Sequence, residues 1–135
     1  PVKLEGKRLL DGGVSDPIPV KWMLSRGYEK NVVVLTRDVK YRKKANPKMQ
    51  LFLKAVLHKY PAFLKDLEER HIHYNETLEE LASLEKEGRI HIIRPSSPIQ
   101  AAMIERDESN LERIYQTGRA DMKKDLEKLK AYLDS

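Results

Sequence analysis

A chain of 135 residues with 40% apolar and 35% charged side chains has the composition of one globular domain rather than of a disordered or membrane-embedded segment. The absence of cysteine excludes disulfides, thiolate chemistry and Cys-based zinc sites. No apolar run nears the ~20 residues that span a bilayer, and no secretion signal opens the chain, so a cytoplasmic setting is the default expectation.

Pro1 opens directly into a strand-like stretch, which reads as the continuation of polypeptide that precedes it. Arg8-Leu9-Leu10 then reads as a short strand that ends in the tight turn Asp11-Gly12-Gly13, because glycine adopts positive φ without steric cost. Asp16 as N-cap with Pro17 in the first turn predicts a helix, with Val20, Met23 and Leu24 on its buried face and Gly27 as its stop. Val32 to Leu35 is an unbroken apolar run, the pattern of a strand covered on both faces.

Asn46-Pro47 repeats the cap-and-proline start. Met49, Phe52, Leu53, Val56, Leu57 and Tyr60 follow at helical spacing. Pro61 begins a longer helix with a stripe through Leu64, Leu67, His71, Tyr74, Leu78, Leu81 and Glu85, and Gly88 stops it. Arg89 to Ile93 predicts a third strand, followed by a Pro- and Ser-containing loop at residues 95–98. Leu111, Ile114, Tyr115, Met122, Leu126, Leu129 and Leu133 mark a C-terminal amphipathic helix with a candidate break at Gly118. Three strands separated by helices imply an α/β layered fold with a short parallel sheet and right-handed crossovers. So narrow a sheet needs further strands from elsewhere, or association with itself, to cover its edges.

Net charge is +5, from 26 Lys and Arg against 21 Asp and Glu, too mild an excess to mark a nucleic-acid binder. Much of it is concentrated in one place. Arg37, Lys40, Arg42, Lys43, Lys44 and Lys48 face only Asp38, so the loop 37–48 is where anions would gather, either as a solvated basic loop or as a contact for anionic lipid headgroups. His71 and His73 stand two apart on a helix and so point to different faces, and the spacing of four that a helical metal site uses is absent. No metal or other cofactor is expected. Ser96 and Ser97 lack the glycine elbow of a nucleophile and read as loop or cap residues.

Asp-Gly-Gly alone is ordinary turn chemistry, but its surroundings extend the pattern. Asp11-Gly12-Gly13-Val14, Asp16-Pro17-Ile18-Pro19-Val20, Gly27-Tyr28 and the stretch from Val32 into Thr36-Arg37 resemble the aspartate block of the patatin-like phospholipases. The similarity continues through Tyr41 to Lys44, Tyr60-Pro61, His71, Tyr74-Asn75-Glu76-Thr77, Glu87 to Ile90, Ile93-Arg94-Pro95 and Glu105-Arg106-Asp107, in the manner of a bacterial branch with a long helical C-terminal extension. Many patatins carry asparagine where this chain has Asp16, and either residue can cap a helix.

The resemblance implies a partial patatin-like three-layer fold, with residues 1–37 the end of the catalytic core and 38–135 the extension, in one domain fragment. In that family the serine of Gly-x-Ser-x-Gly attacks an acyl ester and an aspartate serves as its base. Asp11 would take that role here, with Gly12 and Gly13 supporting the turn. The serine motif and the oxyanion loop have no counterpart in the chain: Gly13-Val14-Ser15 comes nearest, but Pro17 stands where the last glycine belongs. The resemblance thus implies a lipid acyl hydrolase whose serine lies in an N-terminal half of the same polypeptide, a chain inactive by itself, and a lipid or acyl-ester substrate. Arg37, Arg42, Lys43 and Lys44 are the candidate headgroup contacts for peripheral attachment to a membrane surface. The alternative is a non-catalytic anion-binding or oligomerisation module that uses the loop 37–48, with self-association as a homo-oligomer.

Overall fold

A computed structural model describes residues 2–9, 11–102 and 104–135. Strands β1 (Val2–Leu4) and β2 (Lys7–Leu9) form an antiparallel hairpin, with Val2 opposite Leu9 and Leu4 opposite Lys7. The two-residue connection Glu5-Gly6 has φ of 47° and 76°, the doubly left-handed backbone that matches the twist of a tight hairpin. The strand expected to end at the Asp-Gly-Gly turn therefore pairs with its predecessor in a hairpin instead of joining a parallel sheet. Pro1 and Leu10, which the sequence reading placed at the chain's opening and at that strand's end, lie outside the described residues.

Past a short 3-10 turn at Gly12–Val14 come α1 (Val20–Ser25), β3 (Asn31–Val34), α2 (Pro47–Leu57), α3 (Pro61–Lys86), β4 (Ile90–Ile93) and α4 (Glu108–Asp134). The fold is thus mixed α/β, with several helices and two short two-stranded sheets among the described residues. α1 starts at Val20 rather than behind Asp16, so Pro17 and Pro19 both precede it. Gly27 does follow the helix in the left-handed region, at φ 81°. At α2 the Asn46 side chain accepts from the Met49 N–H, and Pro47 occupies the first turn, as the cap-and-proline reading anticipates. α4 runs unbroken through Gly118.

The chain divides into two compact, interleaved units: residues 1–19 with 42–80, and residues 20–41 with 81–135. Every buried apolar side chain among the described residues, namely Val20, Leu35, Leu81, Leu84, Ile90 and Ile92, belongs to the second unit.

The core of the second unit is the parallel pair β3 and β4, in register from Asn31 beside Ile90 to Val34 beside Ile93, extended by the Leu35 N–H donating to the Ile93 carbonyl. Ile90 and Ile92 are buried on one face. On the other, Val32 and Val34 are 40% and 68% exposed, so this strand is not covered on both faces: α4 lies against β4 and leaves β3 open there. The C-terminal end of α4 is fastened by Tyr132. Its hydroxyl accepts from the Asn31 N–H at 2.8 Å and donates to the Arg89 carbonyl at 3.1 Å, while Lys30 donates to the Tyr132 carbonyl and lies over its ring.

The first unit holds the β1–β2 hairpin, the Asp-Gly-Gly turn, α2 and residues 61–80 of α3. Gln50 donates to the Glu68 carbonyl and Lys54 pairs with the Glu68 carboxylate at 2.8 Å, which ties α2 to α3. Arg8 donates to the Tyr60 hydroxyl. No described helix is long and apolar enough to cross a membrane.

Candidate functional site

Asp11 caps the 3-10 turn. One oxygen of its carboxylate, Oδ1, accepts from the Gly13 N–H at 2.9 Å, and the side chain is exposed. A Cβ on Gly13 would stand 3.3 Å from that same oxygen, closer than ordinary packing, so the glycine lets the carboxylate fold back over the turn. The turn is held from outside as well. Arg70, on α3, donates through Nε and a terminal guanidinium nitrogen to the Gly13 carbonyl at 3.2 and 2.8 Å. Peptide and carboxylate are thereby fixed together on a turn whose aspartate is exposed.

Arg70 also borders a cleft of about 250 Å³ in the same unit, between the segment 43–46, α2 and α3. Lys43, Lys44 and His71 supply the rest of its basic rim, and Met49, Leu53 and Leu67 its apolar lining, with no carboxylate among the lining residues. The rim is built on a fixed backbone. Asn75 accepts from the Lys43 N–H at 2.8 Å and donates to the Lys43 carbonyl at 3.0 Å, so one side-chain amide replaces a strand's ladder at that residue. The Lys43 ammonium lies 5.4 Å from the centre of the Tyr74 ring, close enough for cation–π attraction. His71 Nδ1 lies 2.9 Å from the Glu68 carbonyl, so it is the donor nitrogen and Nε2 is left as the acceptor in the neutral ring.

Of the four candidate headgroup contacts, Lys43 and Lys44 meet in this cleft. Arg42 is an exposed residue of the same unit, and Arg37 belongs to the other unit, its guanidinium over the Tyr41 ring. Arg70 has no signal in the sequence: it is one charged residue on a charged helix, and its partner is a backbone carbonyl 57 positions away.

In the second unit, an apolar cleft of about 340 Å³ opens beyond the carboxyl ends of β3 and β4, where Leu35, Ile93, Ile99, Ile114 and Met122 line it. Parallel sheets commonly receive ligands at that edge. Arg94 and Asp121 at its border are already engaged, with the Glu85 carboxylate and the Ser96 N–H. The histidines are dispersed. His73 lies between Glu69 and Glu76 on the exposed face of α3, while His91 Nε2 is 2.5 Å from Asp125 and its ring stacks on Tyr132. Among the described residues no three His, Asp or Glu side chains gather as a metal site would require.

Residues 60–134 match the family model for a domain of unknown function, DUF6363. The chain belongs to this family. The DUF6363 match covers all of α3, β4 and α4, and therefore Arg70, His71 and the apolar cleft's helical wall, whereas Asp11, α2 and the loop 37–48 precede it. No curated protein and no solved structure matches the chain.

Proposed function

We propose that the chain is the aspartate-bearing part of a patatin-like acyl-ester hydrolase, with the nucleophilic serine on polypeptide outside these residues and the three-layer patatin fold completed there. The observation that supports this reading most strongly is the exposed Asp11 carboxylate, held through one oxygen by the Gly13 N–H, on a turn pinned by Arg70. A serine hydroxyl is a weak nucleophile until a neighbouring group takes its proton. In the proposed cycle the serine Oγ attacks the acyl carbon as its proton passes to the Asp11 carboxylate. Asp11 then returns that proton to the departing alkoxide. A water attacks the acyl-enzyme by the same route, its proton going to Asp11 and from there to the serine as the acid leaves.

Two observations test the reading directly. The coding sequence ahead of residue 1 is expected to contain Gly-x-Ser-x-Gly, and its absence overturns the hydrolase assignment. The 135-residue chain by itself is expected to leave a p-nitrophenyl ester unhydrolysed, and a serine-dependent turnover by this chain alone contradicts the assignment of the nucleophile to other polypeptide.

The basic cleft favours a second, non-catalytic reading, in which this unit holds a small organic anion between Lys43, Lys44, Arg70 and His71. Titration with a phosphate monoester is then expected to shift the NMR signals of Lys44, Arg70 and His71 together. A response confined to other residues removes this reading.

A further inference from the structure

Within the first unit, taken by itself, one apolar face of α2 has no cover. α2 turns Gln50, Leu53 and Leu57 inward, where they are half-buried, and Gln50 and Lys54 fasten the helix to Glu68 of α3. Met49, Phe52 and Val56, spaced i, i+3, i+7, fall on the adjoining face and are 50%, 62% and 57% exposed, Met49 also bordering the basic cleft. Leu51 is 72% exposed on a third. An isolated exposed leucine or valine is unremarkable, but an aligned stripe on one helix, in a unit with no fully buried apolar side chain among its described residues, is a surface that something else covers.

The charges around the stripe identify what covers it. Between residues 42 and 65 there are seven Lys and Arg and not one Asp or Glu. Lys44 and Lys48 stand exposed at the amino end of α2, and Lys59 stands exposed beyond its carboxyl end. A protein partner would be matched by a rim of mixed sign, and a second copy of this chain would bring the same excess of positive charge against itself. An aromatic and aliphatic stripe with lysines at both ends of its helix, where the carboxylate tied to the helix, Glu68, is already paired with Lys54, fits an anionic lipid surface, with the helix lying in the headgroup plane. We propose that α2 docks this unit onto anionic membranes, Met49, Phe52 and Val56 entering the headgroup–acyl boundary while Lys44, Lys48 and Lys59 contact phosphate and carboxylate headgroups. The docking stands without the hydrolase reading, and loss of either leaves the other in place.

Co-sedimentation of the 135-residue chain with vesicles tests this, using phosphatidylcholine alone against phosphatidylcholine with phosphatidylserine. Binding is expected only to the anionic vesicles, weakening about tenfold or more as salt rises from ~0.1 M to ~1 M and the Debye length contracts. Phe52→Glu is expected to lower binding about tenfold or more through loss of apolar insertion. The pair Lys44→Glu and Lys48→Glu is expected to lower it at least about tenfold through charge. Circular dichroism confirms that each variant keeps the wild-type helix content. Equal binding to neutral vesicles, insensitivity to salt, wild-type binding by folded Phe52→Glu, or a concentration-dependent dimer abolished by Phe52→Glu would each overturn the proposal, the last by assigning the stripe to a second copy.

Discussion

Arg70 donates two hydrogen bonds to the carbonyl of Gly13, across 57 positions of sequence. The bond joins the middle of α3 to the turn that carries Asp11, so the position of the candidate base depends on a residue of the family-matched segment. Arg70→Ala is expected to lower stability by about 1 kcal/mol, somewhat less than the ~1.5–3 kcal/mol of a fully buried charge-assisted hydrogen bond because this one is only half-buried. Arg70→Lys should restore part of that, since an ammonium cannot reproduce the planar fork. Urea midpoints check both, and an unchanged midpoint for Arg70→Ala would show that the turn stands without its anchor.

Tyr132→Phe removes one hydroxyl that joins the first residue of β3, Asn31, to Arg89, the residue before β4. Its loss leaves the Asn31 N–H, within the buried start of β3, without its partner. A destabilisation of about 1–2 kcal/mol is expected from that unpaired donor, seen as a lower urea midpoint with the dependence on denaturant unchanged. A neutral substitution would mean that water replaces the hydroxyl at no cost.

The start of α4 is expected to be acid-sensitive. The Ser109 hydroxyl, followed by the Asn110 and Ser109 N–H groups, holds the Asp107 carboxyl below the usual aspartate value. The Asp107 N–H and the Asn110 side chain do the same for Glu105, and the Ser96 N–H does so for Asp121. A carboxylate whose folded value is depressed stabilises the fold fully above its unfolded value, near 4, and loses that contribution as pH falls through the lower folded value. Far-UV circular dichroism should therefore show helix loss below pH ~4, and Asp107→Ala should reduce the dependence. An identical acid profile for the variant contradicts the cap's part in it.

His73 moves the other way. The hydrogen bond that its ring donates to the Glu76 carboxylate is the main cause that raises it above 6.5; desolvation opposes this, and a further hydrogen bond to Glu69 adds to the rise. A raised histidine stabilises the fold fully below its unfolded value and loses that contribution as pH climbs through the higher folded one. NMR titration of the imidazole should show the elevated midpoint, and Glu76→Gln should bring it down. A midpoint that Glu76→Gln does not move would assign the shift to Glu69.

Much of this architecture is legible in the residues. Asn46-Pro47 announces α2, the β-branched runs announce β3 and β4, and the apolar repeat announces α4. Gly118 carries no such information, because one helical glycine costs only about 1 kcal/mol, which a helix of 27 residues packed along one face absorbs. The hairpin at Glu5-Gly6 is hidden for a different reason: glutamate rarely takes positive φ, so the pair does not resemble the Asn-Gly or Asp-Gly of a tight turn. The Asp-Gly-Gly turn is visible in the sequence, but its anchor is not, since a side chain bonded to a distant carbonyl leaves no periodicity behind. The exposed stripe of α2 is likewise hidden: its spacing is that of any amphipathic helix, and only the packing against α3 separates the inward Leu53 from the outward Phe52.

The proton-accepting role of Asp11 is tested most directly by steady-state ester hydrolysis in the polypeptide that carries both this chain and the nucleophilic serine, with Asp11→Asn against the unaltered protein. Asparagine caps the turn as well as aspartate does, so unfolding midpoints should agree while kcat falls about 10²- to 10⁴-fold. Turnover at the unaltered rate by a folded Asp11→Asn protein contradicts the account.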